Sequence, residues 1–216
     1  MDAKSSGRRV GNSRRQDSGQ LRQRLTDAFT KIAAERGYAK TTVKEVVAAA
    51  GVSRSAFYGQ FESKRQCLIA AYDAYVDRLM SEVDQAMETQ EEWPLKIKAA
   101  VVAGLGFVTE TASFARLFAV EAFSAGPAVL DRGFAGMQRV VLILRTGRDL
   151  YPEADRISDL TEPVLVAGIT SLVTGALLSE EEARLAELEP PMVEILLTPY
   201  LGVEQAKEIA QASLPV

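Results

Sequence analysis

Apolar residues recur at helical spacing along most of this chain. Between Gln20 and Arg36 they fall one, three or four positions apart, which places them on a single face of a helix. The pattern continues from Lys64 to Gln90 and then over segments near 95–109, 113–124, 129–149, 163–182 and 190–212, most of which are separated by Gly or Pro. No segment alternates between apolar and polar residues as a half-buried strand does. The pattern therefore predicts an all-α fold.

The segment that follows the first helix reads as two short helices joined by a tight turn. Thr42 and Glu45 have the spacing of a capping box, in which each side chain bonds to the backbone of the other residue. Gly51 is suited to end the first short helix, because glycine adopts the left-handed backbone without steric cost. Ser53 is suited to cap the second. Two short helices joined in this way form a helix-turn-helix, whose second helix enters the major groove of DNA.

The second short helix carries more polar residues than its packing requires. Ala56, Phe57 and Phe61 supply an apolar side, and the other side chains are available for phosphates or base edges. An arginine at the start of this helix can bond bidentately to guanine. The candidate DNA-binding residues are Thr42, Ser53, Arg54, Ser55, Tyr58, Gly59, Gln60 and Lys64.

Two of these candidates have a second explanation. Thr42 either caps its helix and nothing more, or also helps the free backbone amides to hold a phosphate. Lys64 lies in the first turn of the next helix, where a cation opposes the helix dipole. Because a nearby phosphate would reverse that penalty, we expect Lys64 to contact DNA. The alternative is a solvated charge.

About a quarter of the chain, at its N-terminal end, resembles the DNA-binding domain of the tetracycline-repressor (TetR-like) family. The resemblance rests on a first amphipathic helix ending at Arg36-Gly37-Tyr38, and then on Thr41-Thr42-Val43, Ala50-Gly51-Val52-Ser53, Ala56-Phe57-Tyr58 with Phe61, and Ser63-Lys64. It implies that the Tyr58 hydroxyl reaches a phosphate and that the C-terminal domain binds an effector. It also implies a homodimer in which the last two long helices of each subunit form a four-helix interface.

Charge is divided unevenly along the chain. Residues 1–66 hold 14 Lys or Arg against 6 Asp or Glu, a net charge of +8, and the remainder holds 11 against 23, a net charge of −12. A basic part attached to an acidic part fits a DNA-binding domain on a body that does not bind DNA. We therefore expect a disordered basic arm over 1–19, a helix-turn-helix domain over 20–66, and a helical effector-binding and dimerisation domain over 67–216.

The arm contains four arginines within eight residues and almost no apolar side chain. One interpretation places these arginines along phosphates or in an adjacent minor groove, where the negative potential attracts arginine. The other is a solvated tail without a DNA contact. The residues concerned are Arg8, Arg9, Arg14 and Arg15.

Two helices near the C-terminus are unusually apolar. The segment from Val164 to Leu178 is apolar on almost every side, and a helix of that kind has to be buried all round. The last helix carries Met192, Val193, Ile195, Leu196 and Leu197. We assign both helices to the dimer interface, and the alternative is that they close the core of a single subunit.

Aromatic and aliphatic residues in the middle of the chain suggest a small-molecule site. A cavity between helices with such a lining would accept a small apolar or aromatic effector. The alternative is an ordinary filled core. The candidate lining residues are Phe107, Phe114, Leu117, Phe118, Phe123, Met137, Val141 and Leu144.

Composition argues against an enzyme. The chain has no histidine, which removes the commonest general base and metal ligand, and its single cysteine, Cys67, is expected to be packed. We expect neither a cofactor nor a metal. No apolar run free of charge, Gly and Pro is long enough to suggest a membrane span, and the N-terminus lacks the apolar core of a secretory signal. We therefore expect a cytoplasmic protein.

Together these patterns predict a sequence-specific transcriptional regulator. Our hypothesis is a homodimeric repressor that binds a palindromic double-stranded DNA operator and is released by a small apolar ligand. The alternative is a helical adaptor without an effector, whose basic N-terminal part binds an acidic protein partner.

Overall fold

The computed structural model describes residues 6–124, 127–151, 156–179 and 183–215, with side chains from residue 17 onward except those of 121–130. In these ranges the secondary structure is helical and contains no strand, as the sequence pattern predicts. The helices are α1 Ser6–Arg36, α2 Val43–Ala50, α3 Arg54–Gln60, α4 Lys64–Glu88, α5 Trp93–Glu110, α6 Ala112–Ser124, α7 Pro127–Arg145, α8 Thr161–Leu178, α9 Ala183–Glu187, α10 Glu189–Leu201 and α11 Val203–Gln211.

The chain divides into two compact units, Met1–Asp73 and Ala74–Val216, which we call the N-terminal and C-terminal units. The division falls inside α4, seven residues beyond the boundary that the sequence predicts. Each unit has its own apolar core. In the N-terminal unit α1, α2, α3 and the start of α4 bury Leu25, Phe29, Val46, Phe57, Phe61, Cys67 and Leu68.

The first helix is longer than the apolar pattern predicts. α1 begins at Ser6, so the described backbone of 6–19 is helical where the sequence predicts a disordered arm. The physical reason is cooperativity: a helix that already packs on α2 needs no new nucleus, and each added residue completes one more hydrogen bond. The side chains of Arg8, Arg9, Arg14 and Arg15 lie outside the described residues.

The core of the C-terminal unit is formed by residues of all seven helices from α5 to α11. Trp93 and Tyr200 belong to it, with ring centroids 4.8 Å apart. The Nζ atom of Lys98 is buried and donates hydrogen bonds to the backbone carbonyls of Ile209, Ala210 and Ala212 at the end of α11. These carbonyls have no partner within their own helix, so Lys98 satisfies the C-terminus of α11.

A buried carboxylate ties together α8, α10 and the turn that follows α7 in the same unit. Glu162, in the first turn of α8, has no exposed surface. Its two carboxylate oxygens accept hydrogen bonds from Nε and Nη2 of Arg148, at 2.6 and 2.7 Å, and one of them also accepts from the hydroxyl of Tyr200 at 3.0 Å. Burial alone raises the pKa of Glu162, but the hydrogen bonds from Arg148 and Tyr200 outweigh it and the pKa is lowered.

Within the single chain, helix α8 is exposed along one side. Val164 is 65% exposed and Leu172 is 47% exposed, and between them lie the exposed small residues Ala167, Gly168 and Ser171. By length and composition α8 could cross a membrane, and the pair α5 and α6 would also qualify if its 89° bend were part of a single span. The sequence analysis missed this because glycines interrupt the apolar run of α8.

Helix α10 differs from α8 in this respect. Its apolar residues Met192, Val193, Leu196 and Leu197 are buried in the core of the unit, and Ile195 is exposed. Of the two helices assigned to a dimer interface from the sequence, α8 therefore offers an apolar surface, whereas α10 mainly closes the core of its own subunit.

Candidate nucleic-acid interface and apolar cavity

Local hydrogen bonds define the start and end of α2 as the sequence predicts. The Thr42 hydroxyl accepts a hydrogen bond from the Glu45 amide, and the Glu45 carboxylate accepts from the Thr42 amide at 3.0 Å, which completes the capping box. The bonds from the hydroxyl and the amide of Thr42 lower the pKa of Glu45. Gly51 ends α2 with φ of 63°. Because Thr42 and Glu45 satisfy each other, the capping role of Thr42 is accounted for without a phosphate.

Helix α3 exposes the polar side that the sequence assigns to DNA. Ser53 caps it by accepting a hydrogen bond from the Ala56 amide at 3.0 Å. Phe57 is fully buried and Tyr58, next to it, is 49% exposed, with the two rings in edge contact. Four of the six exposed members of the predicted set, Arg54, Ser55, Tyr58 and Gly59, lie on this one short helix.

Two residues of the predicted set are engaged within the protein. The side-chain amide of Gln60 donates a hydrogen bond to the Ser18 hydroxyl at 3.0 Å. The ammonium of Lys64 donates to the backbone carbonyls of Tyr38 at 2.8 Å and Thr41 at 2.9 Å, in the turn between α1 and α2. Neither side chain has the open, outward position that the sequence analysis assumed for it.

The sequence analysis missed the internal use of two arginines on α1. Arg24 donates to the carbonyl of Ala50, the last residue of α2, and Arg22 donates to the carbonyl of Gln60, the last residue of α3. It also left out Lys40 and Lys44, which are exposed on either side of the Thr42 cap. The sequence signal for these two lysines was their position next to a helix N-terminus, because an anion such as phosphate is favoured there.

An apolar cavity of about 270 Å³ lies within the C-terminal unit. Helices α4, α5, α7, α8 and α10 all contribute to its wall, which has no charged side chain and only the hydroxyls of Thr170 and Thr174 as polar side-chain groups. Its volume is close to the lower end of the range for small-molecule sites, about 300–1,000 Å³. The lining residues are Leu79, Met80, Val83, Ile97, Ala100, Val101, Gly104, Leu105, Val108, Val140, Ile143, Leu144, Ile169, Thr170, Val173, Thr174, Met192 and Leu196.

The cavity is not where the sequence analysis placed it. Leu144 is the single residue common to the predicted and observed linings among the described side chains; Phe107, Phe114, Leu117, Phe118, Met137 and Val141 lie elsewhere. Phe107 and Phe118 pack on Tyr75, with ring centroids 5.1 and 5.2 Å from it, so these aromatic residues fill a core. The side chain of Phe123 lies outside the described residues.

Comparison with known proteins supplies a family for the N-terminal unit and relatives for half of the chain. Residues 25–71 match the model of the family described as bacterial regulatory proteins, tetR family. The HTH-type transcriptional activator FasR of Mycolicibacterium smegmatis is 32% identical over 111 residues, which are 51% of this chain and 50% of FasR. YerO, an HTH-type transcriptional regulator of Bacillus subtilis, is 30% identical over 67 residues, 31% of this chain and 23% of YerO. The chain thus spans half or less of these relatives.

Solved structures share the fold over most of the chain. The fatty acid degradation regulator FadR from Bacillus halodurans matches with a TM-score of 0.71 at 17% identity, covering 85% of this chain and 96% of FadR. FadR from Bacillus subtilis in complex with stearoyl-CoA matches with a TM-score of 0.68 at 16% identity, covering 84% and 99%. With its helix-turn-helix and the match over residues 25–71, the N-terminal unit is similar to the bacterial regulatory proteins of the tetR family.

Proposed function

We propose that this protein is a dimeric transcriptional regulator whose N-terminal unit binds a palindromic DNA operator and whose C-terminal cavity binds the hydrocarbon chain of a fatty-acyl effector. The observation that carries the proposal is the exposed polar side of α3 on a helix-turn-helix with well-defined ends. A short helix with one buried ring and several outward polar side chains is suited to a groove of DNA.

Residues of α3 divide into two roles in this proposal. Arg54 and Ser55, at the exposed start of the helix, contact base edges, since an arginine recognises guanine through two parallel hydrogen bonds. The Tyr58 hydroxyl contacts a phosphate and thereby fixes the orientation of the helix on the duplex. Thr42, Ser53 and Gly59 adjoin these contacts, with Lys40 and Lys44 adding positive charge beside α2.

The apolar wall of the cavity supports a hydrocarbon ligand. A charged group would lose its hydration there without gaining a partner, which is strongly unfavourable. A methylene group gains about 0.8 kcal/mol on leaving water, so a chain that fills the cavity gains several such increments. The stearoyl-CoA complex of the FadR structure supports the choice of an acyl chain over an aromatic ligand. The polar end of such a ligand would have to lie outside the apolar wall.

Helix α4 offers a physical route between ligand and DNA. Leu79, Met80 and Val83 of this helix line the cavity, and its first turn carries Lys64. A ligand changes DNA affinity only if it binds one arrangement of the protein more tightly than another. We propose that the filled cavity favours an arrangement of α4 that lowers DNA affinity, which makes the protein a repressor released by its ligand.

The exposed side of α8 supports the dimer. An apolar helix surface interrupted by small residues permits the close approach of a second helix, and such patches mark interaction sites. A second copy of α8 supplies a surface of the same kind across a two-fold axis. Pairing two helix-turn-helix units in this way also raises operator affinity through a second half-site.

The test begins with selection of bound duplexes from a random DNA pool. We expect a palindromic consensus bound by two protein chains, with weaker binding by Arg54→Ala and Tyr58→Phe and unchanged binding by Lys31→Ala, an exposed change on α1. Equal binding to heparin and to every duplex would contradict the proposal and support the adaptor hypothesis.

The ligand is tested on the selected duplex with acyl-CoA of increasing chain length. Each added methylene group should increase the effect on DNA affinity by about fourfold until the cavity is filled, from its transfer free energy. Gly104→Leu, at the cavity wall, should abolish the effect, while Gly106→Leu, exposed on the same helix, should retain it. An equal response of the two variants would exclude this cavity as the effector site.

A further inference from the structure

Three threonines inside the helices of the C-terminal unit bond back to their own helix. The hydroxyls of Thr109, Thr170 and Thr198 each donate a hydrogen bond to the carbonyl four residues earlier, at 2.8, 2.7 and 2.7 Å. This bond satisfies the hydroxyl without help from another element. Thr174 lies one turn beyond Thr170 on α8, but its hydroxyl has no hydrogen-bond partner in the described part of the chain.

The free hydroxyl of Thr174 belongs to the wall of the apolar cavity. No buried side-chain nitrogen or oxygen atom of the described residues lacks a hydrogen-bond partner, so this oxygen lies on accessible surface. The other polar side chain of the wall, Thr170, already uses its proton within α8. Thr174 is therefore the one side chain among the described lining residues that has a hydrogen-bond donor to offer a ligand.

The surroundings of Thr174 determine which acceptor suits this donor. The wall carries no charged side chain, so a carboxylate or phosphate would lose its hydration there for a single hydrogen bond in return. A carbonyl oxygen is neutral and accepts through its lone pairs. Hydrocarbon next to it would contact Ile169 and Val173, which line the cavity from the same helix. An apolar chain with one carbonyl group therefore matches the wall better than a plain hydrocarbon.

We propose that Thr174 is a specificity-determining residue of the cavity, whose hydroxyl donates a hydrogen bond to a carbonyl oxygen on the hydrocarbon chain of the effector. This inference rests on the effector site proposed above and adds the position of one polar group of the ligand. In an acyl thioester that group is the thioester carbonyl, with the hydrocarbon chain on one side and the polar remainder on the other. A ketone on an apolar chain presents the same acceptor.

Two matched variants test the hydroxyl. Thr174→Val and Thr170→Val each replace a hydroxyl by a methyl group on the same wall, one turn apart, and keep the branched side chain. Titration calorimetry of the full protein without DNA should show decanoyl-CoA binding weakened by about fivefold in Thr174→Val, from the loss of one neutral hydrogen bond. Binding should be unchanged in Thr170→Val, whose hydroxyl donates within its own helix. Equal affinities of the two variants would overturn the proposal.

A matched pair of ligands isolates the carbonyl. S-decyl-CoA has a methylene group where decanoyl-CoA has its carbonyl and is otherwise the same. The weakening by Thr174→Val should be confined to decanoyl-CoA, because S-decyl-CoA offers no acceptor at that position. A loss of the same size for both ligands would mean that the substitution disturbs the wall, and it would overturn the hydrogen bond.

Stability without ligand gives a readout that separates a ligand contact from a structural role. An unpaired hydroxyl contributes no hydrogen bond to the fold, and a methyl group suits an apolar wall better. The melting temperature of ligand-free Thr174→Val should therefore not fall below that of the wild-type protein. A lower melting temperature would show that the hydroxyl has a partner within the protein and would contradict the proposal.

A ketone separates this inference from the proposed acyl effector. If the wild-type protein does not bind decanoyl-CoA, the acyl-CoA part of the proposed function fails. Methyl nonyl ketone and undecane, which differ in one carbonyl, then decide the role of Thr174. Ketone binding that weakens in Thr174→Val while undecane binding does not would support the hydrogen bond. An equal effect on both, or no binding of either by the wild-type protein, would overturn it.

Discussion

The two units of this protein use their charged side chains in different ways. In the N-terminal unit, cations on α1 and α4 bond to carbonyls at the ends of neighbouring segments, and the polar side of α3 is left exposed. In the C-terminal unit, the charged groups Lys98, Arg148 and Glu162 are turned inward, and an apolar cavity lies between the helices that they help to hold. The exposed side of α3 depends on helix ends that are fixed in place, whereas the apolar cavity depends on helices that are held apart.

The largest effect that tests this comparison is expected at the buried carboxylate of the C-terminal unit. Arg148→Met leaves Glu162 buried with its bidentate partner removed, and breaking a buried pair in this way costs about 3 to 5 kcal/mol of unfolding free energy. Arg139→Met is the matched control, because it removes the same side chain from an exposed pair with Asp77, worth at most about 1 kcal/mol. Urea denaturation measures both. Equal costs would show that Glu162 does not depend on Arg148.

The same pair has a predictable dependence on pH. The folded pKa of Glu162 lies below its ordinary value of 4.5, so the stability that it contributes is present above that pH and is lost as the pH falls through the folded pKa. In Arg148→Met the main force that lowers this pKa is gone and burial raises it. The difference in unfolding free energy between wild type and variant should therefore shrink as the pH is lowered from 7 towards 4.

The same two units also show what can be read from a sequence. Caps and turns of the N-terminal unit depend on residues three or four positions apart, such as Thr42 with Glu45, and these predictions are confirmed. The cavity depends on which side of an apolar helix meets a gap. Because α5 is apolar on nearly every side, periodicity could not distinguish Phe107, which packs on Tyr75, from the neighbouring Val108, which lines the cavity.

A signal for the cavity was nevertheless present in the sequence. Ala100 and Gly104 stand four residues apart on α5, and both line the cavity. Large rings fill space, while small side chains leave it open. No such signal was present for the internal partners of Lys64, which are carbonyls 23 to 26 residues away in sequence. Contacts at that separation depend on tertiary packing, which no local pattern contains.

The next effect compares two lysines that have the same chemistry in different surroundings. Lys98 is buried and bonds to three carbonyls at the end of α11, whereas Lys64 is half-buried and bonds to three carbonyls of a turn. A carbonyl that loses its hydrogen-bond donor costs more unfolding free energy where water cannot replace the lost donor. We expect Lys98→Met to lower the unfolding free energy by about 2 to 3 kcal/mol and Lys64→Met by about 1 to 2 kcal/mol.

Calorimetric or denaturant unfolding of the two variants measures this difference. Glu189 lies 3.5 Å from the Lys98 ammonium and is partly exposed, so its carboxylate becomes better hydrated in the variant and adds little to the cost. A larger loss of unfolding free energy in Lys64→Met than in Lys98→Met would contradict this expectation. It would also show that the carbonyls of the N-terminal unit depend more strongly on their lysine than those of the C-terminal unit.

The smallest effect concerns the turn between α2 and α3. Gly51 has φ of 63°, where an L-residue pays about 1 to 2 kcal/mol, and a Cβ there would lie 3.4 Å from the Arg24 Nη2 atom that caps α2. Gly51→Ala should therefore destabilise the protein by about that amount. Gly59 is exposed within α3, and a Cβ added to it would meet no other atom within 4 Å, so Gly59→Ala should stabilise the helix by about 0.5 to 1 kcal/mol. Thermal unfolding measures the change in melting temperature of each variant. Changes of opposite sign would locate the strain in the backbone of the turn. Changes of the same sign would mean that helix propensity, and not the cap, governs the stability of this region.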